Sequence, residues 1–123
     1  MGRGKFLDKH GYVPPAQIFS EYMERLIAIT RKHGLQPMMW SDMFFRLGSK
    51  TNDYYDIESV VPDSVIATLP DVSLCYWDYY HMDEAFYDHM IRQHARMGKV
   101  VFAGGVWVWS GFLPHVKRTQ ATM

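Results

Sequence analysis

The chain has 123 residues, the length of one ordinary domain, and 48% of them are hydrophobic, enough for a real core. Lys plus Arg number 13 and Asp plus Glu number 13, so the net charge is zero and no basic field exists to draw nucleic acid or an anionic membrane. Aromatic residues make up 15%, and an aromatic surplus without a basic one favours a neutral, ring-shaped ligand over a polyanion.

Residues 1–13 are Gly-rich and basic and read as irregular. Met1-Gly2-Arg3-Gly4-Lys5 leads into no apolar h-region, so no signal peptide is expected there. Pro14 and Pro15 then open a helix, because proline suits a first helical turn. Ile18, Tyr22, Leu26 and Ile29 recur at helical spacing, Phe19 and Met23 widen the stripe, and Glu21, Glu24, Arg25, Arg31 and Lys32 lie mostly outside it. This is an amphipathic helix with one buried face, stopped at Gly34 after three basic residues. A strand follows over 36–41, ending Met38-Met39-Trp40-Ser41-Asp42. A polar loop runs to Asp53, and the stretch from Tyr54 to Leu69 is ambiguous, Pro62-Asp63 being able to open a short helix through Ala67.

Val72 to Cys75 is an apolar run leading into Tyr76-Trp77-Asp78-Tyr79-Tyr80. It reads as a buried strand whose end emerges with four aromatic rings around one carboxylate. A buried charge needs a hydrogen-bonding partner. Rings that stack on apolar pyranose faces, with few carboxylates to hold hydroxyls, are the makeup of a sugar site. Asp83 caps a second helix, with Phe86, Met90, His94 and Met97 on its apolar face and Gly98 as its stop. Lys99 to Ala103 is a third strand, followed by Gly104-Gly105 and Val106-Trp107-Val108-Trp109-Ser110-Gly111, and a last helix begins after Leu113.

Strands alternating with helices imply βα units and a parallel sheet, an α/β fold. Each strand carries its polar and aromatic residues at its C-terminal end, where a (β/α)8 barrel builds its active site. Three strands do not close such a barrel, which typically needs ~250 residues. Residues 1–123 therefore read either as an open three-layer α/β unit or, as the irregular start and unfinished end favour, as one piece of a longer single domain such as a TIM barrel.

Cys75 is the only cysteine, so no intrachain disulfide forms. In an apolar strand it reads as inert filler, and a lone thiol fits a reducing compartment, with a cytoplasmic location the expectation. No apolar run nears the ~18 residues of a membrane span. His81, His89 and His94 do not make a metal set, because positions 89 and 94 are five apart where zinc helices use four. They read as surface or packing histidines, and neither metal nor cofactor is expected.

Four segments together resemble glycoside hydrolase family 20, the exo-acting β-N-acetylhexosaminidases: Gly2 to Tyr12, Pro37-Met38-Met39-Trp40-Ser41-Asp42-Met43-Phe44, Tyr76-Trp77-Asp78-Tyr79-Tyr80, and Gly104 to Gly111. The resemblance spans nearly the whole chain in motif order. It implies a (β/α)8 barrel that cleaves terminal β-linked N-acetylglucosamine or N-acetylgalactosamine with retention, the substrate's own acetamido oxygen acting as nucleophile. On this resemblance the chain corresponds to roughly the fifth through seventh strands. The catalytic Asp-Glu pair of the family would lie before residue 1 and the eighth strand beyond Met123. Met82-Asp83-Glu84-Ala85 mimics the family's catalytic motif, but no apolar strand leads into it, and capping accounts for its acids.

By resemblance, Tyr76 would donate its hydroxyl to the acetamido oxygen; otherwise it is a core Tyr bonded to a carbonyl. Asp78 would accept hydrogen bonds from sugar hydroxyls; otherwise it caps a loop. Trp40 would wall the acetamido pocket; otherwise it is a core Trp. Trp109 or Trp107 would stack on the sugar ring, and alternation leaves open which of the two lines the pocket. Asp42 is a weaker candidate that otherwise binds loop backbone.

The leading expectation is a partial hexosaminidase domain, inactive by itself, whose parent acts on N-acetylhexosamine-terminated glycans or glycosides. The others are a non-catalytic carbohydrate-binding module, and a fragment that self-associates through open sheet edges.

Overall fold

The computed structural model describes residues 2–58, 60–69, 71–105, 111–113 and 115–121. Its elements are α1 (Lys5–His10), α2 (Pro15–Lys32), β1 (Met38–Trp40), α3 (Asp42–Gly48), α4 (Asp63–Ile66), β2 (Ser73–Trp77), α5 (Glu84–Met97), β3 (Val100–Ala103) and α6 (Val116–Ala121). The three strands form one parallel sheet in the order β1-β2-β3. The α/β class follows.

Two helices stand where the sequence suggested none. The first, α1, lies in the stretch read as irregular. Gly4 (φ 61°) and Gly11 (φ 70°) bound it, and Phe6 packs its ring on His10 one turn later at 4.7 Å. It buries no residue, so only local contacts hold it. The second, α3, replaces the start of the expected loop. Phe44 and Phe45 on it are buried, and that burial outweighs the polar tract following Gly48.

The long helix α2 forms where expected, with Pro15 in its first turn and Arg31 and Lys32 in its last. Gly34 follows at φ 65°. Its buried stripe, however, is Phe19, Met23 and Ile27. Tyr22, Leu26 and Ile29, expected inside, are exposed. Both lines have helical spacing, and the neighbours choose between them: Phe19 meets Phe44 edge-on at 5.2 Å. On α5 the buried residues are Tyr87, Met90, His94 and Met97, with Phe86 partly buried against them.

Register decides what each sheet face carries. Met39 pairs with Leu74 and Leu74 with Val100; Trp40 pairs with Cys75 and Cys75 with Val101. Side chains alternate along a strand, so Met39, Leu74, Tyr76, Val100 and Phe102 share one face. The first four pack into the core formed with α2, α3 and α5, and Phe102 meets Tyr76 and Tyr87 at 5.3 and 5.9 Å. The opposite face carries Met38, Trp40, Ser73, Cys75, Trp77, Val101 and Ala103. On that face Met38 is 58% exposed, Trp40 51% and Val101 43%.

Candidate functional site

The strand ends hold the polar groups of the core. Among the described residues, Ser41, Asp42, Asp78 and His94 are the buried polar or charged ones. All four lie at or beside the C-terminal ends of β1 and β2. Tyr55, Tyr76 and Tyr87, also buried, add their hydroxyls.

Asp78 follows β2 directly and is 1% exposed. Its Oδ1 accepts the backbone N–H groups of Tyr80 and His81 at 3.0 and 3.3 Å. Its Oδ2 accepts the Tyr76 hydroxyl at 3.2 Å and the His81 Nδ1–H at 2.7 Å. A carboxylate offers about four lone-pair sites, so all are engaged. The carboxylate pins the turn 79–81 onto the strand end, and Tyr87 adds a bond from its hydroxyl to the His81 carbonyl at 2.9 Å. The His81 ring stacks on Phe86 at 3.6 Å. This is the loop-capping alternative for Asp78, and it leaves no acceptor for a sugar hydroxyl.

Tyr76 is wholly buried. Burial raises the pKa of its phenol strongly, and the neighbouring Asp78 charge and the hydrogen bond to Asp78 add to the rise. The hydroxyl therefore stays protonated and donates. Burial likewise raises Tyr55 and Tyr87, so none of the three phenols serves as a base near neutral pH.

A second chain of bonds runs beside the first. The His94 Nδ1 lies 2.6 Å from the Met90 carbonyl, and its Nε2 lies 2.7 Å from Ser41 Oγ. A carbonyl only accepts, so Nδ1 carries the proton and Nε2 accepts from the serine. The Tyr55 hydroxyl, 3.0 Å from Ser41 Oγ, donates to it in turn. The Cys75 carbonyl, 3.1 Å from the same oxygen, competes for the single serine proton and also accepts the Ser41 backbone N–H at 3.0 Å. Burial holds His94 down at about 4, against a smaller opposing effect of the Met90 hydrogen bond, and the imidazole is neutral at pH 7. The ring stacks on Tyr76 at 4.5 Å. This pair has the geometry of a base and a hydroxyl nucleophile. Both residues are 0% exposed, so no substrate reaches them and the relay is structural.

Asp42 opens α3, and its Oδ1 accepts the indole Nε1–H of Trp77 at 3.1 Å. It thus joins the end of β1 to the end of β2 and does not bind loop backbone. Tyr54 and Tyr79 flank the Trp77 ring at 5.5 and 5.7 Å. The guanidinium of Arg46 sits 4.9 Å above Tyr54.

The structure brings Tyr76 and Asp78 together but separates them from Trp40. Tyr76 projects from the helix-packed face and Trp40 from the bare one. Neither the hollow beside α2, α3 and α4 nor the one beside Gly34 and Lys99 is lined by any of the three. Trp40 is half exposed in this chain. Trp107 and Trp109 lie outside the described residues. Sequence reasoning passed over Ser41 and Tyr55. It left His94 as a surface or packing histidine, and burial at 0% exposure makes it the latter; its place on the apolar face of α5 was the available signal. Among the described residues no cluster of three or more His, Cys, Asp or Glu could hold a metal ion, and no helix is long and apolar enough to cross a membrane.

The motif resembling a catalytic Asp-Glu pair has a local explanation. Asp83 is the N-cap of α5, its side chain accepting the Ala85 N–H at 3.0 Å. Glu84 is exposed in the first turn.

Compared with models of protein families, the chain matches none, and comparison with curated proteins likewise gives no match.

Proposed function

We propose that this chain is part of a hexosaminidase-like (β/α)8 barrel, roughly its fifth to seventh βα units, and that it hydrolyses no glycoside by itself. The parent activity would be retaining, substrate-assisted removal of terminal β-linked N-acetylhexosamine. One observation carries the reading: a parallel sheet in chain order, with α2, α3 and α5 packed on one face and the edge-strand residues Met38, Trp40 and Val101 of the other face exposed. Such a barrel keeps its helices outside and fills its lumen with side chains from the inner strand face. The Trp77–Asp42 bond joins the two motif-bearing strand ends at one rim, in keeping with that arrangement.

The same geometry shifts the roles that the resemblance suggested. Trp40 and Trp77 stand on the face a barrel would enclose, so sugar stacking belongs to them in this reading. Tyr76 and Asp78 stand on the helix side and brace the rim. Acid catalysis would come from residues outside 1–123, because Asp83 caps α5 and Glu84 is an exposed acid in its first turn. Purified chain given an aryl N-acetyl-β-glucosaminide should release no phenol above blank. Turnover abolished by Glu84→Gln would overturn that assignment. For the family reading itself, the coding DNA directly upstream of Met1 should encode, in frame, an apolar strand ending Asp-Glu. An upstream stop codon with no such strand would defeat it.

A second reading has its own support. Met38, Trp40 and Val101 expose apolar surface on the face opposite the helices, and among the described residues β1 and β3 are the sheet edges. Unpaired edges and bare apolar faces promote association. Sedimentation velocity would show species larger than 14.4 kDa if the chain covers this face with copies of itself, and a monomer if it does not.

A further inference from the structure

Away from the strand ends, α2, α3 and the segment 61–69 enclose a hollow of about 410 Å³. Phe19 and Met23 line it from α2, Phe44 and Leu47 from α3, and Val65 from α4. None of its lining residues is charged. Thr68 at its wall gives its hydroxyl to the Val65 carbonyl, and Gln17 gives its amide to Glu21. Ser20 also lines the hollow, and its hydroxyl makes no hydrogen bond among the described residues. Small-molecule sites have this form: a largely apolar concavity of a few hundred Å³ with a small number of polar groups to fix orientation.

Size and polarity together select the occupant. An apolar cavity of about 150 Å³ holds one benzene ring, so this one takes a two-ring or medium-chain molecule. A carboxylate or ammonium ligand would find no opposite charge on the walls and would lose its hydration uncompensated. We propose that the hollow between α2, α3 and α4 binds a neutral, medium-sized apolar alcohol, its hydroxyl bonded to Ser20 and its hydrocarbon against Phe19, Met23, Phe44 and Leu47. This site is on the helix layer and is independent of the reading of the strand ends.

The test is a titration of the full chain with 1-octanol, followed through the methyl resonances of Met23, Leu47 and Val65, with octanoate at pH 8 as the charged control. Expected are saturable shifts at these three residues and binding of octanoate at least tenfold weaker. Ser20→Ala should weaken 1-octanol binding roughly three- to tenfold, the worth of one hydrogen bond, and leave octane-like probes unaffected. Ala16→Phe, at the exposed start of α2 beside the hollow, should block binding; Val65→Phe, which fills it from α4, should do the same if the first variant misfolds. The proposal is overturned by any of four results: no saturation up to the solubility limit, equal affinity for octanoate, undiminished binding in both Phe variants, or the same shifts produced by protein concentration alone. The last would mean that a second copy of the chain occupies the hollow.

Discussion

The two faces of one three-stranded sheet are built differently. On the helix side, Tyr76, Asp78, His94 and Ser41 are sealed and hydrogen-bonded to one another or to nearby backbone. On the other side, Met38 and Trp40 stand half in solvent. The residues that look most chemical are those most completely spent on structure. The residue best placed to meet a flat sugar ring is the one with least support. A carboxylate ringed by aromatics is thus not evidence of a site until its acceptor sites are counted, and here Asp78 has none left.

Substitutions on the closed face should have the largest effects. Asp78→Ala leaves four donors without an acceptor and should destabilise by about 3–5 kcal/mol, read from the urea midpoint. A loss under 1 kcal/mol would mean that the turn 79–81 does not depend on this carboxylate.

Next comes acid. Burial holds His94 neutral, with a folded pKa of about 4 against the ordinary 6.5. The unfolded chain therefore binds the extra proton first, and stability falls as pH drops from 6.5 towards 4. The loss approaches roughly 3 kcal/mol at the lower end. Urea melts between pH 7 and 4 should show this slope, and His94→Gln should flatten it. An unchanged slope in the variant would place the acid sensitivity elsewhere.

Tyr76→Phe should cost less, about 1–2 kcal/mol, because Asp78 keeps three of its four donors. Smallest of all is Trp40→Ser on the bare face, which should move stability by no more than about 0.5 kcal/mol. If the chain self-associates through that face, the same change should shrink the large species in sedimentation. A large stability loss in Trp40→Ser would mean that the bare face is covered in solution, and the contrast between the faces would fail.

Much of the fold was legible in the residues. The cores of α2, α5, β2 and β3 follow from periodicity and from the stops at Gly34 and Gly98. What escaped depends on neighbours. On α2 two apolar lines have equal spacing, and only the position of Phe44 decides that Phe19, Met23 and Ile27 go inside. The helix α3 was hidden because Phe44 and Phe45 precede a long polar tract. In the site, Tyr76 and Asp78 were readable as a pair, being two residues apart on one strand. Ser41 and His94 are 53 positions apart, and Tyr55 reaches them from a loop, so their meeting is tertiary. Trp40 was grouped with Tyr76 because both end strands. Alternation is written within each strand, but the register that puts Trp40 opposite Cys75, and so on the other face from Tyr76, is not.

The most direct test of this contrast is a titration of the chain with an N-acetylglucosamine thiazoline, a mimic of the cyclised acetamido intermediate, followed by tryptophan fluorescence. With Trp40 on one face and Tyr76 and Asp78 sealed on the other, the chain alone should give no saturable change. A one-to-one response lost in both Trp40→Phe and Asp78→Asn, with each variant still folded, would contradict the account by showing that these residues share a pocket.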